Sequence, residues 1–108
     1  MTVKVRHLKQ FTKGWFVGNF SPTFLATPHA EVAIKIYKAG DVEASHHHKV
    51  ATELTAVVSG RVCMGGKVLT PGQMARIEPG ESVAFEALED SVTVVVKIPC
   101  AAGDKYVD

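Results

Sequence analysis

The sequence has little of what would tie it to a large charged partner or a bilayer. Its 12 lysines and arginines almost balance 11 aspartates and glutamates, for a net charge of +1. No basic face of the kind that grips nucleic acid or anionic lipid is therefore expected. Only two cysteines occur, Cys63 and Cys100; they form no Cys-x-x-Cys unit and are expected as free thiols. No stretch reads as a signal peptide, and the apolar run Val92–Ile98 is broken by Thr93 and Lys97 and is too short to span a bilayer. A cytoplasmic protein without a membrane segment is the expectation. Helical periodicity is missing too, since no stretch sustains it over three turns.

What remains is a succession of short strands and turns. With 108 residues the chain is expected to form one domain, residues 1–108, able to bury a core without disulfides. Val3 and Val5 alternate with Lys4 and Arg6 as in a short half-buried strand. Phe11, Trp15, Phe16, Phe20 and Phe24 follow in a segment broken by Gly14, Gly18 and Pro22, which reads as extended pieces and turns. Those rings suit either core filling or the wall of a pocket or an oligomer contact. Residues 31–37, EVAIKIY, set Val32, Ile34 and Ile36 on one face and Ala33, Lys35 and Tyr37 on the other. Further strands are expected at Leu54–Val58, Arg61–Met64, Met74–Ile77, Ser82–Phe85 and Ser91–Ile98, with a Gly65-Gly66 hairpin turn between two of them. Valines on both faces of Ser91–Ile98 predict a strand covered on both sides or by a second subunit. The pattern as a whole is that of an all-β sandwich or barrel. For the tail, AAGDKYVD, an ordered cap and a frayed end both remain open.

The chemistry concentrates in GDVEASHHHKVATELTAVVSG, residues 40–60. Alternate side chains of a strand share a face, so His46 and His48 point one way with Cβ atoms roughly 7 Å apart, and His47 points the other. Glu53, after a short bend, can start the returning strand and bring a carboxylate alongside. Two imidazoles and one carboxylate suit Fe, Mn, Ni, Co or Zn as divalent ions. His46, His48 and Glu53 are thus the candidate metal ligands, and no residue stands out as a general base.

Gly40, His46, His48, Glu53 and Gly60 match G(X)5HXH(X)3,4E(X)6G throughout, and in this the chain resembles the cupin superfamily. The resemblance spans roughly residues 31–99 and implies a double-stranded β-helix, a jelly-roll barrel that is often dimeric, with the metal inside its mouth. A second cupin motif, G(X)5PXG(X)2H(X)3N, is matched only at Gly72 and Gly80. Glu78 stands at its proline, Val83 at its histidine and Ala87 at its asparagine. The family's fourth ligand is therefore absent, and Glu81, on the same face as Val83, is a candidate substitute.

The resemblance implies a small metal-binding protein that acts on or binds a small molecule. A metal-dependent oxygenase or isomerase is one reading, with Tyr37 and Phe85 as pocket walls; a non-catalytic ligand-binding or structural protein with a degenerate site is the other. A homodimer is expected, and neither nucleic acid nor membrane is expected as a partner.

Overall fold

A computed structural model describes residues 2–108. Ten strands form, in chain order β1 (Trp15–Val17), β2 (Glu31–Tyr37), β3 (Val42–His47), β4 (Thr52–Ser59), β5 (Val62–Met64), β6 (Lys67–Leu69), β7 (Met74–Ile77), β8 (Val83–Ala87), β9 (Ser91–Ile98) and β10 (Tyr106–Val107). They make two five-stranded sheets, ordered β1-β2-β9-β4-β7 and β10-β3-β8-β5-β6. Every strand pairing is antiparallel. The eight strands β2 to β9 pass back and forth between the sheets in jelly-roll order, while β1 and β10 each extend one edge. Two single-turn 3₁₀ helices, Leu8–Gln10 and Thr12–Gly14, precede β1. Among the described residues no helix is long and apolar enough to cross a membrane.

Most strand boundaries agree with the hydrophobic pattern, and β2, β7 and β9 agree to the residue. The expected strand at Val3 and Val5 does not form. Both valines are largely exposed, at 78% and 75%, because alternation yields a strand only where a sheet edge is free to pair, and the edge beside β2 is taken by Trp15–Val17.

Inside and outside are arranged unusually. The aliphatic face of β2 is turned outward, with Ile36 69% exposed, while Lys35 and Tyr37 line the interior. In β9 the buried face carries Ser91, Thr93 and Val95, and the half-buried outer face carries Val92, Val94 and Val96. An apolar core still closes one end of the barrel: Val57, Val62, Met64, Ile77, Phe85 and Ala87 pack together, joined by Tyr37, Leu69, Ala75 and Val83. Each fully buried Val or Phe there contributes roughly 1.5–3 kcal/mol. Beside that core, polar side chains also turn inward, and with Tyr37, Met64, Ile77, Val83 and Phe85 they line the site.

Two glycines frame the stretch that carries the ligands. Gly60 has φ +84°, and a Cβ on it would lie 2.2 Å from Ser91 Oγ and 2.3 Å from the Asp90 carbonyl oxygen. Gly40 has φ +92° with open space around it, so it meets only the conformational requirement.

Candidate metal centre and its cavity

Strand β3 carries a bulge. Glu43 pairs with Phe85 and His46 with Val83, so three steps along β3 face two along β8, which re-aims the side chains beyond the extra residue. Glu43 and His46 consequently both reach the interior cavity, although strict alternation would put them on opposite faces. Ser45 and His47 point outward to a single carboxylate: Ser45 Oγ donates to Asp108 Oδ2 at 2.7 Å, and His47 Nδ1 lies 2.7 Å from Asp108 Oδ1. Tyr106 of β10 stacks on the His47 ring. His47 is thereby committed to the tail, as expected from its face.

The inward imidazoles are fixed by main-chain carbonyls. His46 Nδ1 lies 2.9 Å from the Ala44 carbonyl oxygen, and His48 Nδ1 bonds the carbonyl of Asp104. A carbonyl only accepts, so each Nδ1 carries a proton and each Nε2 is the ring atom left to face the site. His48 Nε2 faces Glu53 Oε1 at 3.3 Å, and Thr55 Oγ1 donates to Glu53 Oε2 at 2.8 Å. One ligand-capable atom from each of His46, His48 and Glu53 falls within 4.8 Å of the others. His48 and Glu53 are 3% and 8% exposed. Spacing, donor chemistry and dryness all fit a divalent transition metal.

The bend between β3 and β4 is held from the tail. The Asp104 carboxylate accepts the N–H groups of Lys49, Val50 and Ala51, and the Gly80 N–H donates to the His48 carbonyl at 2.7 Å. The tail is thus an ordered cap rather than a frayed end.

Charge inside the site is set by these contacts. The hydrogen bond to Glu53 holds the His48 imidazolium against burial, so His48 titrates above its ordinary 6.5. Burial pushes the Glu53 carboxyl up, but the hydrogen bonds from His48 and Thr55 and the charge of Lys97 overcome it, leaving Glu53 below 4.5. Burial likewise opposes the three N–H donors at Asp104, and the donors win.

The cavity beside the triad measures about 60 Å³. Tyr37 and Phe85 line it, as the sequence suggested, with ring centroids 4.5 Å apart. Val83 lines it too, directly across from His46. Glu81 also lines it but is exposed and lies outside the close donor group.

Trp15 lines it as well, the pocket-wall alternative for that ring, whereas sequence reasoning missed the charged lining residues Lys35, Glu43 and Lys97. Tyr37 Oη donates to Glu43 Oε2 at 3.5 Å. Burial, with Glu43 beside it, pushes the Tyr37 phenol well up, so Tyr37 keeps its proton. Lys35, Tyr37 and Glu43 also border a more open groove of about 580 Å³ along the N-terminal segment. The signal for the lysines was present in EVAIKIY and SVTVVVKI, where a lone cation interrupts a strand; the bulge hid Glu43.

No protein-family model matches the sequence, and no curated protein does. Solved structures do. A conserved protein with a double-stranded beta-helix domain from Klebsiella pneumoniae is 26% identical with TM-score 0.66, over 71% of this chain and 69% of that one. KdgF from Halomonas sp. is 26% identical with TM-score 0.62, over 68% and 72%. A cupin protein from Bacteroides fragilis is 24% identical with TM-score 0.58, over 75% of each chain. The chain has the cupin fold, a double-stranded β-helix. Within that barrel the His-His-Glu cluster suggests a divalent metal site, and Val83 stands where the second cupin motif has its histidine.

Proposed function

We propose that this cupin holds a divalent transition metal through His46, His48 and Glu53 and acts on a small molecule, with isomerisation favoured over oxygenation. One observation carries the reading: two imidazoles anchored through Nδ1 and a carboxylate converge within 4.8 Å on a cavity that also holds an acid–base pair, Tyr37 and Glu43. A three-ligand face leaves positions open, and the ion, when bound, acts as a Lewis acid on an oxygen of the substrate. Glu43 can accept and return a proton, Tyr37 donates to it, and Phe85 and Val83 keep water from the reacting atoms. Proton transfer is what an isomerisation requires, and the cavity supplies it from its own side chains.

The second reading, a non-catalytic ligand-binding protein with an empty site, is favoured by a different observation. As an imidazolium, His48 donates from Nε2 to Glu53 Oε1 at 3.3 Å, so the pair is satisfied without any ion. Elemental analysis of tag-free protein separates the two. Near-stoichiometric iron, manganese, nickel, cobalt or zinc, lost in His48→Ala and kept in His47→Ala, supports the metal reading; equal metal in both variants, or none with no uptake, overturns it.

We also propose a single domain over residues 1–108, a cytoplasmic location in keeping with two free thiols, and a homodimer. The outward aliphatic face of β2, β9 and β4, including exposed Ile36, Leu54 and Val58, supports the dimer. A monomeric mass by light scattering would overturn it.

A further inference from the structure

Lys35 and Lys97 reach the same indole from adjacent strands. Lys35 lies opposite Thr93 and Lys97 opposite Glu31 in the β2–β9 register, and both side chains lean over Trp15, with Nζ atoms 5.1 and 5.0 Å from the ring centroid. At most about 10 Å separates the two ammonium groups. Trp15 is paired with Ala33, a fully buried small residue, which leaves the indole room to turn its face to the cavity. Lys97 is also the cross-strand neighbour of Glu53, so this cationic end abuts the metal triad.

Two like charges over one ring in a half-buried cavity repel each other. Burial pulls the Lys35 ammonium below its ordinary 10.5, and the charges of Lys13, Lys97 and Lys105 pull it further, against the single opposing pull of Glu43. Among the described residues neither lysine forms an ion pair. Glu43 neighbours Lys35 and Glu53 neighbours Lys97 electrostatically, but neither carboxylate bonds an ammonium group directly, so the N–H donors of both lysines stay open to a bound anion. The cavity, about 60 Å³, has room for on the order of four or five water-sized positions, which limits the anion to a few atoms.

We infer that the Lys35–Trp15–Lys97 end of the cavity is an anion seat, and that the molecule handled at this site is a small carboxylic acid, its carboxylate held by the two ammonium groups and a second oxygen turned to His46, His48 and Glu53. The second half rests on the metal reading above; the seat itself does not. Trp15 supports the two cations from beneath and walls the acid's carbon atoms.

The test uses calorimetry with lactate and malonate on zinc-loaded and on metal-free protein, with 1,2-propanediol as the neutral counterpart of lactate. Zinc uptake is titrated separately and reports on the metal reading alone. The expected result is that at least one acid binds, that Lys35→Gln and Lys97→Gln each weaken it about tenfold with zinc uptake unchanged in Lys35→Gln, and that Lys97→Arg retains it. The diol should bind more weakly than lactate and respond to neither change. Lysine-dependent acid binding by a protein that takes up no zinc supports the seat and removes the metal reading. Failure of both acids to bind either form, or unchanged affinity in both glutamine variants, overturns the seat.

Discussion

His48 is oriented by Asp104: its Nδ1 bonds the Asp104 main-chain carbonyl, while the Asp104 carboxylate gathers the N–H groups of Lys49, Val50 and Ala51 that follow the histidine. One residue, 56 positions away in sequence, thus sets both the ring and the bend leading to Glu53. Asp104→Ala keeps the main-chain carbonyl but releases the bend, and should weaken zinc affinity by about tenfold, the low end of the loss for support behind a metal ligand. It should also destabilise the fold by about 2–3 kcal/mol through the stranded N–H donors. Competition titration and urea denaturation check the two effects; unchanged zinc affinity would show that the tail does not support the site.

The metal-free protein should be most stable in a window set by opposing groups. Glu53 and Asp104 titrate below their ordinary values of 4.5 and 3.8, so their contribution is complete above those values and is lost as pH falls through the lower native ones. His48 titrates above 6.5, so its contribution is complete below 6.5 and is lost as pH rises through the higher native value. Urea midpoints measured in chelator should therefore fall on both sides of the window, and His48→Gln should abolish the alkaline fall. Midpoints that stay flat between about pH 5 and 8 would contradict the His48–Glu53 pairing.

The two framing glycines should differ in cost. Gly40→Ala meets only an unfavourable backbone conformation and should cost about 1–2 kcal/mol. Gly60→Ala adds a collision with Ser91 and the Asp90 carbonyl and should cost about 3–5 kcal/mol. Thermal unfolding of both variants checks the order, and equal losses would refute the steric account.

Val83→His should restore a fourth ligand. Val83 is paired with His46 and faces the same cavity, so an imidazole there would converge on the triad. Zinc affinity is expected to rise at least about tenfold. Unchanged affinity would mean that the added ring does not reach the ion.

The barrel and the triad were legible because both depend on local pattern: period-two alternation, turn glycines, and two histidines one residue apart. Glu43 was not legible, because a bulge breaks the alternation and nothing in EASH announces it. Lys35 and Lys97 were visible as lone cations in aliphatic strands, yet their facing depends on which side of β2 and β9 turns inward. The usual expectation would bury Val32, Ile34 and Ile36, and here the interior is the polar side. Asp104 lies too far along the chain for any spacing rule to join it to His48.

The bulge in β3 also bears on how such a sequence can diverge. Its extra residue sits between Glu43 and the first imidazole, so loss of the Ser45 codon would straighten the strand and leave Glu43, His46 and His48 on one face. Descendants of this gene could therefore shorten the interval after Gly40 by one codon and keep the same interior, whereas a one-codon change between His46 and His48 would turn one of the two imidazoles away.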